Sequence, residues 1–226
     1  MQIQKYFNTF LPFYVYVNPW WIYSKLKGNN WRNEKKYKTS SYESADDNVS
    51  QYFLKTIQVI SNKHDSILDI CCNQGRHLRA LRNSGYSDLT GVDIMKPAVD
   101  LFDSRYSALM PEINIECIDV KKYFKINKGN SFDFAITMSA SLELLDPTVN
   151  IFHNISRVVN KGAVFIINKD GHTWPRFWDY GFRHNGFKIC LQKYLQNGMT
   201  LFVLAKHEYS SQILSALEDN LAAKVL

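Results

Sequence analysis

Three acids and one hydroxyl residue recur along the chain, each inside or just after a short apolar run typical of a buried strand. They are Asp69, Asp93, Asp119 and Thr137. The carboxyl ends of parallel strands meet at one edge of a sheet, so these four side chains would converge on a single crevice. Carboxylates there can accept hydrogen bonds from the hydroxyl and ammonium groups of a ligand.

The first of these acids lies in the segment Asp65 to Leu81, DSILDICCNQGRHLRAL. The apolar run predicts a strand over Ile67–Ile70, the small and polar residues up to Gly75 predict a tight turn, and Leu78 and Leu81 recur at helical spacing. A strand that passes through a tight turn into a helix presents backbone N–H groups to a nucleotide-like ligand. A purely structural junction would have the same pattern.

Strand and helix patterns alternate along the rest of the chain. A helix is predicted from Asp46–Asp47 to Ile60, ahead of the first strand, and Pro97 suits the first turn of a later helix. The further strands predicted are Leu89–Asp93, Ile113–Ile118, Phe132–Met138 and Ala163–Ile167, the last opened by Gly162. This alternation predicts an α/β fold, a Rossmann-like three-layer sandwich around a mainly parallel sheet.

The end of the chain has a different rhythm. Phe187–Leu191 and Thr200–Ala205 are separated by a short polar segment with a turn at Gly198, which predicts an antiparallel hairpin. The complete sheet would then have seven strands, mainly parallel, with this hairpin at its C-terminal end. A last helix is predicted around Ile213, Leu217 and Leu221.

Composition limits the domain organisation. A chain of 226 residues with 46% hydrophobic and 21% charged residues fits one globular domain with an appendage. We assign residues 43–226 to the domain and residues 1–42 to an N-terminal extension. No stretch of about 18 residues is continuously apolar, which argues against a spanning helix.

The four cysteines form no CxxC pair, so we expect reduced thiols in a cytoplasmic protein and no metal site. A vicinal Cys71–Cys72 redox or metal site is the alternative.

The net charge of +6 belongs to the extension, because residues 1–40 hold seven basic residues and one acid. Residues 1–23 are rich in aromatic residues, broken by Pro12 and Pro19. Three interpretations of this segment stay open: packing on the domain, a lid over a substrate pocket, or a peripheral membrane contact. The rest of the chain has no net charge, so the overall basicity does not by itself predict a nucleic-acid substrate.

Taken together, the ordered motifs over roughly residues 46–207 resemble those of the class I S-adenosylmethionine (SAM) dependent methyltransferases. Asp69 and Gly75 match the acid and the last glycine of that family's D-x-G-x-G-x-G motif, while Cys71 and Asn73 occupy the first two glycine positions. The resemblance implies SAM as cofactor. The residues it implies as cofactor-binding are Asp69, Cys71, Cys72, Asn73, Gly75, Asp93, Ile94, Asp119, Val120 and Thr137.

The same resemblance assigns a role to each acid. Asp93 would hold the ribose hydroxyls, Asp119 would accept from the adenine amine, and Asp69 with the turn would face the methionine end. A nicotinamide dinucleotide is the main rival ligand for such a crevice. Its pyrophosphate needs the close backbone approach that a G-x-G-x-x-G pattern gives and that Cys71 and Asn73 would obstruct.

Methyl transfer from SAM requires in-line positioning, exclusion of water and, for a hydroxyl acceptor, a base. Among the histidines at 77, 153, 172, 184 and 207, His172 is the candidate base, because it follows the fifth strand in a crevice-side loop. His77, in the motif helix, is expected to face solvent or to cap locally. The candidate substrate-pocket residues are Tyr14, Trp20, Ser139, Trp174 and Tyr180.

The sequence narrows the acceptor. Thr137-Met138-Ser139-Ala140 stands where methyltransferases of exocyclic base amines have Asn/Asp-Pro-Pro-aromatic, and the cysteine of the pyrimidine-carbon enzymes is missing there. We therefore expect an O or N nucleophile on a small molecule, a saccharide or a lipid-like acceptor. Two alternatives remain: an RNA methyltransferase that uses the basic residues 25–38, and a degenerate methyltransferase fold that serves as a binding subunit.

Overall fold

A computed structural model describes residues 43–129, 131–138, 150–168, 178–195 and 198–221. The predicted extension, residues 1–42, lies outside the described residues. Strands and helices alternate as the sequence predicts. In chain order the elements are α1 Asn48–Ile60, β1 Ile67–Ile70, α2 Arg76–Asn83, β2 Leu89–Asp93, α3 Lys96–Arg105, β3 Ile113–Cys117, α4 Val120–Ile126, β4 Phe132–Met138, α5 Ile151–Val158, β5 Val159–Asn168, α6 Trp178–His184, β6 Phe187–Tyr194, β7 Met199–Lys206 and α7 Ser210–Leu221, with a 3-10 turn His207–Tyr209 before α7.

One seven-stranded sheet has the order β3-β2-β1-β4-β5-β7-β6. Strands β1 to β5 are parallel to one another, while β7 pairs antiparallel with both β5 and β6. The mainly parallel sheet and its C-terminal hairpin are therefore confirmed. Strand order reverses between β1 and β4, and in open parallel sheets this is the point where ligands bind.

The core consists of two apolar clusters, one on each face of the sheet. On one face Phe124 of α4, Phe152 of α5 and Phe182 of α6 pack over β1, β4 and β5. On the other face the buried residues of α1, α2, α3 and α7 cover the sheet, with Phe53 and Phe102 among them. The three-layer arrangement is thus built by helices from both faces, as expected of a parallel sheet. Within the described residues, no helix is both long and apolar enough to span a membrane.

Local sequence explains where α1 and α4 begin. Asp47 caps α1 by accepting a hydrogen bond from the Ser50 N–H at 2.8 Å. Asp119 caps α4 by accepting from the N–H groups of Lys121 and Lys122. A carboxylate at this position satisfies backbone donors that have no partner within the helix.

Strand β5 differs from the prediction. It begins at Val159, directly after α5, so Gly162 lies inside the strand and does not open it. A side chain at position 162 would collide with the carbonyl oxygen of Leu204 on the neighbouring strand β7. The glycine is therefore a close-approach position within the sheet, not a boundary. Helices α4 and α6 were not predicted, since each is only seven residues long.

A group of charged side chains joins three strands at the edge of the sheet opposite the crevice. Lys161 Nζ lies 2.5 Å from Asp65 Oδ1 and 3.4 Å from Asp133 Oδ1. Asp133 also accepts from the Ser66 N–H at 3.1 Å, and Asp65 is buried. Lys161 thus compensates buried negative charge where β1, β4 and β5 begin.

Replacing Lys161 with methionine tests this interaction. The change keeps the aliphatic stem and removes the charge, so it leaves buried Asp65 without its cation. Because the Lys161 side chain is 24% exposed, we expect a loss of about 2 kcal/mol in unfolding free energy, below the ~3–5 kcal/mol of a fully buried pair. Urea unfolding measures it. Lys96→Met, in the exposed Lys96–Asp100 pair, is the matched control and should change stability by less than ~0.5 kcal/mol; equal losses in the two variants would contradict the account.

Candidate functional site

The turn after β1 has a backbone with alternating left-handed residues. The φ angles of Cys71, Asn73 and Gly75 are 60°, 54° and 68°. Within the described part of the chain, Cys71 and Asn73 are the only residues other than glycine with positive φ. All three positions that correspond to the glycines of the methyltransferase motif therefore adopt the conformation that glycine favours. The turn geometry survives the loss of two glycines.

Hydrogen bonds to Asn73 and its neighbours hold this backbone. The Asn73 N–H donates to Asp93 Oδ2 at 2.7 Å, and the Gln74 N–H donates to the Asn73 side-chain oxygen at 2.8 Å. The Gly75 N–H donates to the Cys72 carbonyl at 2.9 Å. Asn is among the non-glycine residues that best tolerate the left-handed region, partly because its side chain can bond locally in this way.

The two adjacent cysteines are free thiols that pack on opposite faces of the sheet. Cys71 is half-buried against the apolar cluster under α4 and α5. Cys72 is buried on the opposite face over Gly91, where an added Cβ would lie 2.6 Å from its Sγ. Burial raises the pKa of the Cys72 thiol well above its usual value, which keeps it protonated. Among the described residues, no three His, Cys, Asp or Glu side chains group as metal ligands.

Asp93 ends β2 and lies 8% exposed beside the turn. Besides the Asn73 N–H, it accepts from the Met95 N–H at 2.8 Å. Burial raises the pKa of Asp93, and the backbone hydrogen bonds partly offset this. A carboxylate offers about four acceptor sites, so capacity remains for the hydroxyls of a ligand.

The remaining predicted cofactor residues lie on neighbouring strand ends. The Ile118 N–H donates to the Asp93 carbonyl at 2.8 Å, which ties the end of β3 to β2 and brings Asp119 toward the crevice. Asp119 is exposed, Ile94 is half-buried and Val120 is buried. Thr137 is buried at the end of β4, and its hydroxyl donates to the Ile70 carbonyl of β1 at 2.8 Å. The hydroxyl proton is therefore used in a hydrogen bond between two strands.

Asp69 is the most buried of the predicted acids, with 2% of its surface exposed. Its strand neighbours Leu68 and Ile70 point toward the face that carries α4, α5 and α6. Because side chains alternate along a strand, Asp69 points toward the opposite face, which carries α1 and α2. Its Oδ2 atom is buried and accepts no hydrogen bond from any described residue. Burial, followed by the charge of Asp93, raises the pKa of the Asp69 carboxyl well above its usual value. A buried carboxylate oxygen of this kind is suited to a cationic ligand group.

His77 does not face solvent, so that prediction is wrong. Its side chain is buried, its Nδ1 lies 3.9 Å from Asp69 Oδ2, and its ring packs edge-on to Phe53 at 5.2 Å between centroids. Burial and then the neighbouring Arg76 charge lower the pKa of His77 to about 3, so the imidazole is neutral. The sequence does hold a signal for this position: His77 is four residues before Leu81 and therefore lies on the inner face of α2.

Three arginines that the sequence analysis did not single out fasten the chain just ahead of α1. Arg76 donates to the Ser44 carbonyl at 3.1 Å, Arg79 donates to the Glu43 carbonyl, and Arg105 contacts the Glu43 carboxylate at 2.9 Å. The start of α1 is therefore held against the first turn of α2. Charge patterning alone cannot show this, because the partners are mostly backbone carbonyl groups.

Arg76 of α2 and Ser50 of α1 also contact the end of β4. Arg76 lies 4.0 Å from the sulfur of Met138, and the buried Ser50 hydroxyl lies 3.6 Å from the same atom. Asp69, His77, Ser50, Arg76 and Met138 thus come from four elements that meet on one face of the sheet at the switch point in strand order. We call these five residues the crevice corner.

Most of the predicted catalytic and substrate residues lie outside the described residues. These are Tyr14, Trp20, Ser139, His172 and Trp174. Tyr180 is 44% exposed on α6, where its ring stacks on His184 at 5.3 Å. His153 and His207 are exposed. The assignment of the base and of the substrate pocket stays a prediction.

The positive φ at position 71 restricts which residues this position tolerates. Cys71→Val should lower the unfolding free energy by about 2 kcal/mol, because a β-branched residue fits a positive φ poorly. Cys71→Gly should stay within about 1 kcal/mol of the wild type, since relief of backbone strain offsets lost packing and chain entropy. Thermal or urea unfolding measures both. Cys117→Val, on the exposed surface of strand β3, is the control and should be nearly neutral. A Cys71→Val protein as stable as the wild type would contradict the left-handed turn.

The buried Asp69 carboxyl predicts a pH effect. Its raised pKa means that the stability it contributes is present at acid pH and is lost as pH rises through the folded-state value. Asp69→Asn cannot ionise, so its stability relative to wild type should grow between pH 4 and pH 8, by about 1–3 kcal/mol, the cost of an unmet buried polar group. The lowered pKa of His77 has the opposite effect: the stability that neutral His77 contributes is lost as pH falls from about 6.5 toward 3. Both proteins contain His77, so this loss does not change the difference between them.

The measurement is urea unfolding of both proteins across that pH range. Asp88→Asn, at an exposed position just before β2, is the control and should track the wild type within ~0.5 kcal/mol throughout. A constant difference between Asp69→Asn and wild type across the range would contradict the buried, unpartnered carboxylate.

Comparison with known proteins agrees with this geometry. Residues 67–162, from β1 into β5, match the family model described as "Methyltransferase domain". No curated protein sequence matches the chain significantly.

Solved structures share the fold at low sequence identity. A chain of the Haloferax volcanii complex between the Trm112 methyltransferase activator and a methyltransferase is 16% identical, with a TM-score of 0.59 over 79% of this chain and 96% of its own. A TehB-like SAM-dependent methyltransferase from Corynebacterium glutamicum is 20% identical, with a TM-score of 0.55 over 84% of this chain and 99% of its own. The ribosomal protein L11 methylase of Lactobacillus delbrueckii is 15% identical, with a TM-score of 0.53 over 70% and 78%.

The matched segment contains the left-handed turn, Asp69, Asp93 and Asp119, and the solved structures share the fold around it. Residues 67–162 are therefore similar to a methyltransferase domain, and the chain shares the fold of SAM-dependent methyltransferases.

Proposed function

We propose that this protein transfers a methyl group from SAM to an O or N nucleophile of a small-molecule, saccharide or lipid-like acceptor. The observation that carries the cofactor assignment is the turn at Cys71, Asn73 and Gly75, which keeps the left-handed backbone of a glycine motif next to the unpartnered Asp69 oxygen. That oxygen suits a cationic ligand group, and the spare acceptor sites of Asp93 suit hydroxyl groups.

In this proposal each acid has its own part of the cofactor. Asp93 accepts from the ribose hydroxyls with the lone pairs that the Asn73 and Met95 N–H groups leave unused. Asp119, exposed after β3, accepts from the adenine amine, and Ile94 and Val120 give apolar contacts beside it. Asp69 and the turn hold the methionine end. When bound, SAM supplies a methyl group that is already activated for displacement.

The protein's own contribution to the reaction is then positioning and exclusion of water. The Ser50 and His77 side chains are suited to that task, because both are buried and neither is exposed to compete for the methyl group. For a hydroxyl acceptor we assign the base to His172, on sequence position alone.

The acceptor class rests on charge. Residues 41–226 carry no net charge, whereas binding a phosphate backbone requires a concentration of basic side chains. A basic run does exist in residues 25–38, which favours RNA as the second candidate acceptor. Among proteins that share the fold, one acts on ribosomal protein L11 and one works in a complex with an activator, so the fold leaves the acceptor and any partner open.

Titration calorimetry with SAM tests the cofactor assignment. We expect the wild type to bind, and Asp93→Ala to weaken binding by about 1–3 kcal/mol, because the ribose hydroxyls lose their acceptor. Asp103→Ala, on the exposed side of α3, is the matched control and should leave the affinity unchanged. Absence of binding to the wild type at millimolar SAM would contradict the proposed function.

Incubation of the full-length protein with methyl-labelled SAM then separates the acceptors. Label transferred to a small-molecule or lipid extract would support the proposal. Label transferred to RNA, with a rate that falls steeply as salt rises, would instead favour the second candidate.

A further inference from the structure

Two buried polar atoms in the crevice corner have no hydrogen-bond partner among the described residues: Asp69 Oδ2 and His77 Nε2. Their side chains belong to different elements, β1 and α2, and both residues are more than nine-tenths buried. Unmet polar atoms of this kind are rare in folded proteins and call for a specific explanation, such as a ligand. The Asp69 oxygen therefore needs a partner, and His77 is the neighbouring side chain that can supply a donor.

We infer that His77 is a positioning residue, which orients the Asp69 carboxylate toward the cationic amino-acid end of the cofactor. The inference rests on the proposed function, since it assumes that SAM binds at Asp69. It adds to that function a residue that neither the motif nor the comparisons identify.

The distance between the two side chains fits such a role. His77 Nδ1 lies 3.9 Å from Asp69 Oδ2, which is too long for a hydrogen bond and short enough for a small side-chain rotation to close. The Phe53 ring packs edge-on against the imidazole, so the histidine is held in place from the α1 side. With its proton on Nδ1, His77 would donate to Asp69 and leave only a lone pair at buried Nε2.

Charge explains why a histidine suits this position. A donor beside Asp69 that carried a positive charge would repel the ammonium group of the cofactor. His77 stays neutral, because burial and the charge of Arg76 lower its pKa to about 3, against a weaker opposing effect of Asp47. Arg76 and Asp93 are the charged groups that act on Asp69 itself. A neutral N–H donor can thus fix the carboxylate and leave its negative charge for the ligand.

Two related ligands separate positioning from simple packing. S-adenosylhomocysteine carries the amino-acid end, whereas 5′-methylthioadenosine has the same nucleoside and sulfur without it. In titration calorimetry, His77→Phe should weaken S-adenosylhomocysteine binding about tenfold, the usual effect of losing a hydrogen bond to a charged group, and change methylthioadenosine binding less than about twofold. His77→Asn, whose amide can donate near the Nδ1 position, should recover the first affinity to within about threefold of wild type.

The controls make the outcomes distinct. His64→Phe, on the exposed turn before β1 at the opposite edge of the sheet, should leave both affinities unchanged. If His77→Phe does not fold, His77→Leu replaces it as the variant without a donor. Equal weakening of both ligands, or of neither, would overturn the positioning role. A wild type that binds neither ligand would instead overturn the proposed function.

Discussion

The hydrogen bond from the Asn73 N–H to the Asp93 carboxylate connects the end of β2 to the turn after β1. Through it, an acid that can meet a cofactor also holds the left-handed backbone of Cys71 and Asn73 in place. Strained backbone persists only where its surroundings determine it, and here the Asn73 side chain and the packing of Cys72 over Gly91 add to that determination. The turn, the start of α2 and the crevice all depend on this contact.

In the crevice corner, side chains that suit a ligand reduce the stability of the domain. Asp69 and His77 are buried and have polar atoms without a hydrogen-bond partner. Burial raises the pKa of Asp69 and lowers the pKa of His77, so it favours the neutral form of both side chains. Apolar residues at these positions would pack better in an isolated domain. Polar groups retained at such a cost are characteristic of ligand sites, where the bound molecule supplies the missing partner. The protein concentrates this cost where the strand order reverses.

Much of the fold follows from local pattern. Strands β2 and β4 have the predicted boundaries, because an apolar run ends abruptly at a polar residue or turn. A glycine beside an apolar run predicts a boundary, but the need for Gly162 comes from the close carbonyl of Leu204, which lies 42 residues further along the chain. The polar type of His77 predicts an outward position, whereas its spacing from Leu81 puts it on the buried inner face of α2. The arginine contacts to Glu43 and Ser44 are tertiary and leave no pattern in the sequence.

The central claim is that this turn and its two acids form a SAM site despite the missing glycines. A crystal structure with S-adenosylhomocysteine tests it most directly. The account predicts the ligand at the carboxyl ends of β1 and β2, its amino group within about 3 Å of Asp69 and its ribose hydroxyls within about 3 Å of Asp93, with Cys71 still at positive φ. A ligand bound elsewhere, or a Cys71–Gly75 turn that must unfold to admit it, would contradict the account.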